Sequence, residues 1–155
     1  MESYSEAFAR LTGVPLARNK ADYRSDIAVD ECVGEYISRL FVRDRKSFYR
    51  LKRILERAAD DPACRNPILL SALGHCYYVD CAFDAAMDCF QKAIRMEPEE
   101  LEQWLSMAFC YRQKGEHRKF DAIILKYGKI IDEFRAGKKD IKRLIVKHAA
   151  KSGRR

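Results

Sequence analysis

Proline and glycine are scarce in this chain, four and seven of 155 residues. That scarcity, together with the lack of any alternating polar/apolar run, excludes a turn-rich β fold and predicts an all-α protein. No apolar stretch reaches the 18 residues that a membrane-spanning helix requires, so no membrane span is expected. The N-terminus carries Glu2 and Glu6 and no apolar segment, which argues against a secretory signal and for a cytoplasmic protein. No CxxC pair occurs among Cys32, Cys64, Cys76, Cys81, Cys89 and Cys110, and His75, His117 and His148 fall at no metal-ligand spacing. A phosphate-cradling glycine loop, a nucleophile elbow, an HExxH motif and paired carboxylates in an apolar setting are all missing. Neither enzymatic activity nor a cofactor or metal is therefore expected. Glu97, Glu99, Glu100 and Glu102 do cluster, but acidic groups at the start of a helix favour its dipole and need no catalytic explanation.

What is present is a strong helical pattern between Pro67 and Pro98. Leu70, Leu73, Gly74 and Tyr77 share one face of a first helix (helix A), and Ala86, Phe90 and Ala93 one face of a second (helix B). Gly74 costs roughly 0.5–1 kcal/mol inside a helix relative to alanine, a cost that makes sense where another element must approach closely. The small alanines of helix B leave room for Tyr77 and Phe90 to interlock. Pro98, which has no backbone donor, is expected to stop helix B. The pattern returns 34 residues later: Leu70 is answered by Trp104, Leu73 by Met107, Gly74 by Ala108, Cys76 by Cys110 and Tyr77 by Tyr111. Lys114-Gly115-Glu116 then stands where Asp80-Cys81-Ala82 turned the first pair. In the second helix of this pair Phe120, Ile124 and Tyr127 replace Ala86, Phe90 and Ala93, and Asp132 replaces Pro98, as expected of a terminal unit.

This spacing resembles the tetratricopeptide repeat, over roughly residues 66–134. The resemblance implies a short α-solenoid of helical hairpins. Its expected organisation is an N-terminal helix and linker (1–25), a degenerate helix pair (26–65), two repeats (66–136) and a basic capping helix and tail (137–155), all in one domain. Upstream, Tyr4, Ala7, Phe8 and Leu11 predict a short helix ended by Gly13 and Pro15. Apolar periodicity predicts helices over 27–41 and 48–59, with Asp44 as N-cap between them. Asp140 is expected to cap a last helix carrying Ile141, Leu144, Ile145 and His148 on one stripe. The cysteines are expected to be free and mostly buried, with Cys81 in a turn the most exposed.

The resemblance also implies a concave groove lined by helix A residues off the packing stripe: Ile68, Ser71, His75, Tyr78 and Val79, then Glu102, Leu105, Phe109, Arg112 and Gln113. Repeats that clamp a chaperone's C-terminal carboxylate carry Lys, Arg and Asn at such sites. Ser71, His75, Leu105 and Phe109 do not match, so that role is not expected. An apolar and aromatic lining suits a peptide or amphipathic helix of a partner protein, anchored by Tyr78 and Phe109. The function expected is that of a non-catalytic adaptor, scaffold or chaperone. A homodimer, or the chain's own N-terminal part, would also cover this face.

Charge supplies the alternative. Residues 137–155 hold eight cations against Asp140, a surplus equal to the chain's whole formal charge of +7. A second basic stretch, Arg39 to Arg57, interleaves Phe48 and Tyr49 among its cations. Such surfaces suit nucleic acid.

Overall fold

The computed structural model describes residues 2–13, 29–98, 100–137, 143, 144 and 147. Among them are seven helices and no strand: α1 (Tyr4–Thr12), α2 (Val29–Arg43), α3 (Arg45–Ala59), α4 (Pro67–Val79), α5 (Phe83–Met96), α6 (Leu101–Gln113) and α7 (His117–Arg135). No described helix is long and apolar enough to cross a membrane. The expected linker over 15–25 and the capping residue Asp140 lie outside the described residues.

Local chemistry sets the helix ends. Ser3 and Glu6 form a reciprocal capping box at the start of α1, and Gly13 closes that helix in the left-handed region at φ 84°. Asp44 caps α3 by accepting the Ser47 amide at 3.1 Å. Asn66 caps α4 by accepting the amides of Ile68 (3.0 Å) and Leu69 (3.2 Å), with Pro67 in the first turn where a missing amide costs nothing. α5 stops at Met96, two residues before Pro98.

The two turns one repeat period apart have the same backbone. Gly115 sits at φ 79°, and Cys81, its counterpart, at φ 61°, the only described non-glycine residue at positive φ. Ala82 donates back to the Tyr77 carbonyl at 2.8 Å, just as Glu116 does to Tyr111 at 2.9 Å. These two turns, 34 residues apart, therefore share their backbone conformation and their closing hydrogen bond.

α4 is the centre of the assembly. Nine of its thirteen residues, from Pro67 to Cys76, are buried, and it packs against α2, α3 and α5. Its Ile68, Leu69, Ala72, Leu73 and Cys76 join one core with Phe8 and Leu11 of α1, Val33, Ile37 and Leu40 of α2, and Phe48, Leu51 and Leu55 of α3. Full burial of each large apolar side chain is worth about 1.5–3 kcal/mol. Ala86, Phe90, Met107 and Cys110 form a second cluster between α5 and α6. Leu101, Ile130 and Leu144 form a third, against Trp104 and Tyr127. Leu144 belongs to the stripe expected of the C-terminal helix, and Lys147 nearby pairs with Glu133 at 3.0 Å.

The described cysteines are free. Cys76, Cys89 and Cys110 are buried, Cys64 is half-buried and Cys81 is exposed. Burial pushes the Cys76 thiol well up, and those of Cys89 and Cys110 to about 12, so none of these three supplies a thiolate near neutral pH.

Candidate functional site: an aromatic face on the fourth and sixth helices

The ten residues expected in the groove divide along α4. Ile68 (4% exposed) and Ser71 (fully buried) are interior residues, not an open lining. The reason is α2, which packs on α4 and places Val33 and Ile37 in the same cluster as Ile68. Val79 is half-buried and packs on that cluster too. Gly34 lets α2 come this close: a Cβ there would lie 3.0–3.3 Å from the His75 ring.

From His75 onward the face opens. His75, Tyr78 and Phe109 line a cavity of about 80 Å³ with Phe90 and Ser106. Roughly 10–15 Å³ suffices for one water, so this space admits several waters or a short aliphatic side chain. The walls are rings packed on one another. His75 meets Phe90 edge-to-face at 5.3 Å, and Tyr78 meets Phe83 in the same way at 5.5 Å. Ser106 donates its hydroxyl to the Glu102 carbonyl at 3.1 Å, which leaves its oxygen free to accept.

Phe109, 36% exposed, forms the outer lip. Its ring lies 6.3 Å from that of Phe120 on α7. The Arg112 guanidinium covers both, at 4.9 Å from Phe109 and 5.5 Å from Phe120. Gln113 joins the two helices by donating to the Tyr78 hydroxyl at 3.4 Å. Leu105 and Glu102 are half-buried along the same helix.

His75 is the unusual group here. Its outer edge keeps some exposure, but its Nε2 is buried without a hydrogen-bond partner. Burial alone pulls its pKa from 6.5 down to about 4, so the imidazole is neutral at physiological pH.

Sequence reasoning missed Phe90, Ser106 and Phe120. Ser106 stands three residues before Phe109, the spacing of a shared helix face, and that signal was available. Phe90 was expected purely as packing, yet its ring serves both the α4 contact and the cavity wall. Phe120 comes from a neighbouring helix whose distance no local pattern encodes.

The basic stretch of 39–57 is partly structural. Phe48 is fully buried, packed edge-on by Phe41 at 5.0 Å and Tyr49 at 5.1 Å, so it is not a stacking platform for bases. Tyr49 stays 40% exposed, though its hydroxyl is donated to Asp80 at 2.8 Å. Lys46, Arg50, Arg53 and Arg57 are exposed at helical spacing along one side of α3.

No protein-family model, curated protein or solved structure matches this chain.

Proposed function

We propose that this chain is a tetratricopeptide-like adaptor or chaperone of the cytoplasm, without catalytic activity, which holds a peptide segment of a partner protein across α4 and α6. The observation that carries this reading is the small aromatic cavity beneath the exposed Phe109. It is a preformed pocket for one apolar side chain, the kind of anchor on which peptide recognition concentrates its energy. The paired left-handed turns at Cys81 and Gly115 support the repeat architecture.

The test is nuclease-treated affinity capture from source-cell lysate, comparing wild type with Tyr78→Ala/Phe109→Ala by mass spectrometry. A protein held by wild type and lost from a still-helical variant supports the assignment. Equal recovery by both removes it.

The exposed cation row on α3 favours a second reading, nucleic-acid binding. Under that reading affinity falls steeply with salt, and removal of residues 137–155 weakens it. Salt-insensitive binding excludes it.

A further inference from the structure

On another side of α4 lies a larger cleft of about 530 Å³, bounded by the end of α3, the 60–65 loop and α5. Its floor is apolar, with Leu70 and Leu73 from α4 and Cys89 and Met96 from α5. Ala85 to Met96 runs along one wall; at 1.5 Å per residue that is about 16 Å, or about three turns of a docked helix. The rim carries Glu56, Asp60, Asp61 and Asp88. Two cations, Arg65 and Lys92, share the lining, so four carboxylates stand against two cations, and Asp88 is shared with Lys92. Arg65 donates to the carbonyls of Pro62 (3.4 Å) and Cys64 (3.2 Å), and Lys92 pairs with Asp88 at 3.2 Å. Asp61 accepts the Ala63 amide at 2.9 Å and Glu56 accepts the Tyr77 hydroxyl at 3.1 Å, and each carboxylate has a second oxygen besides the one so used. An acidic rim around an apolar floor, on a chain whose formal charge is +7, is a local reversal of sign.

We infer that this cleft is a second docking surface, separate from the aromatic face, and that its occupant is a lysine- or arginine-rich amphipathic segment of a partner protein. The apolar side chains of such a segment fill the floor over Leu70, Leu73 and Met96. Its cations meet the rim carboxylates, which steer the encounter and fix its orientation. An acidic or uncharged apolar peptide gains the floor but lacks the rim, and a free polycation gains the rim but lacks the floor.

The test uses the full chain and a fluorescein-labelled lysine–leucine amphipathic peptide of about twelve residues, with a glutamate–leucine peptide of the same pattern as control. Anisotropy gives the affinity, and site-resolved alkylation reports the location. Cys64 lines the cleft, whereas Cys81 is exposed outside it. The expected result is binding of the lysine peptide only, with Cys64 protected and Cys81 still labelled. Asp60→Lys/Asp88→Lys, at two exposed positions, weakens binding by about tenfold or more, equivalent to about 1.4 kcal/mol, with an unchanged circular dichroism spectrum. Phe109→Ala leaves binding intact, which separates this surface from the aromatic face. Unchanged affinity in the charge-reversed variant, equal protection of both thiols, or loss of binding with Phe109→Ala overturns the inference. So does self-association of the chain without peptide that charge reversal abolishes, which assigns the cleft to a second copy's basic C-terminal stretch.

Discussion

At Gly74 a Cβ would lie 2.6 Å from Cε1 of Phe90, a core ring that is fully buried. Helix propensity alone favours alanine there by up to about 1 kcal/mol, but overpacking costs about 1–3 kcal/mol, and the contact wins. Gly74→Ala is expected to lower stability in urea unfolding by about 1–2 kcal/mol. Combining it with Phe90→Leu should cost less than the two changes summed, because both act on one contact. Cys81 presents the opposite case. It holds the left-handed turn at φ 61°, where a side chain costs roughly 1–2 kcal/mol and glycine costs none. Cys81→Gly is expected to raise the midpoint of thermal unfolding slightly, and a lower midpoint would show that the turn carries no strain. His75 ties stability to pH. The unfolded imidazole takes up a proton below pH 6.5, while the folded one resists until about pH 4. The unfolded state therefore binds more protons in that window, and stability falls as pH drops through it, by roughly 3 kcal/mol in all. His75→Phe, which removes both the titration and the unpartnered nitrogen, should flatten that fall. An unchanged slope would assign the acid sensitivity to other groups.

Among the elements, α4 and α7 stand at two extremes. α4 is apolar nearly all round and buried on most sides. Among the described residues of α7 only Ile130 is buried, and Leu125 and Phe134 remain 62% and 47% exposed. Few buried contacts mean a low free energy of local opening. Amide hydrogen exchange is expected to be fastest in α7 and slowest in α4, and comparable protection of the two would contradict that ranking. The helices themselves were legible from spacing, since Asp44, Gly13, Pro67 and Pro98 mark boundaries through backbone chemistry that acts within a few residues. The candidate face was legible only in part. The family resemblance implied that His75, Tyr78 and Phe109 share a face, but it also implied Ile68 and Ser71 on the open side, and both are buried. α2 covers that face through Val33, Ile37 and the close approach of Gly34 to His75, the last a contact 41 residues apart in the chain with no local trace. Phe120 was hidden for the same reason, because its partner Arg112 belongs to another helix.

For the molecule as a whole, the arrangement separates two surfaces of different chemistry by the width of one helix. His75 and Tyr78 of α4 serve the aromatic cavity, and Leu70, Leu73 and Tyr77 of the same helix serve the acidic cleft. Between them lies an interior that α1, α2 and α3 share with α4 and α5. Such sharing has a bearing on synthesis. Chains emerge from the ribosome N-terminus first, so α4 appears while α5 is still to be made. At that moment α1 to α3 can cover only one side of it, and the notch at Gly74 awaits the Phe90 ring. Until residue 90 has left the exit tunnel that notch stays empty, and α4 lacks its α5 neighbour for as long as that helix takes to be made.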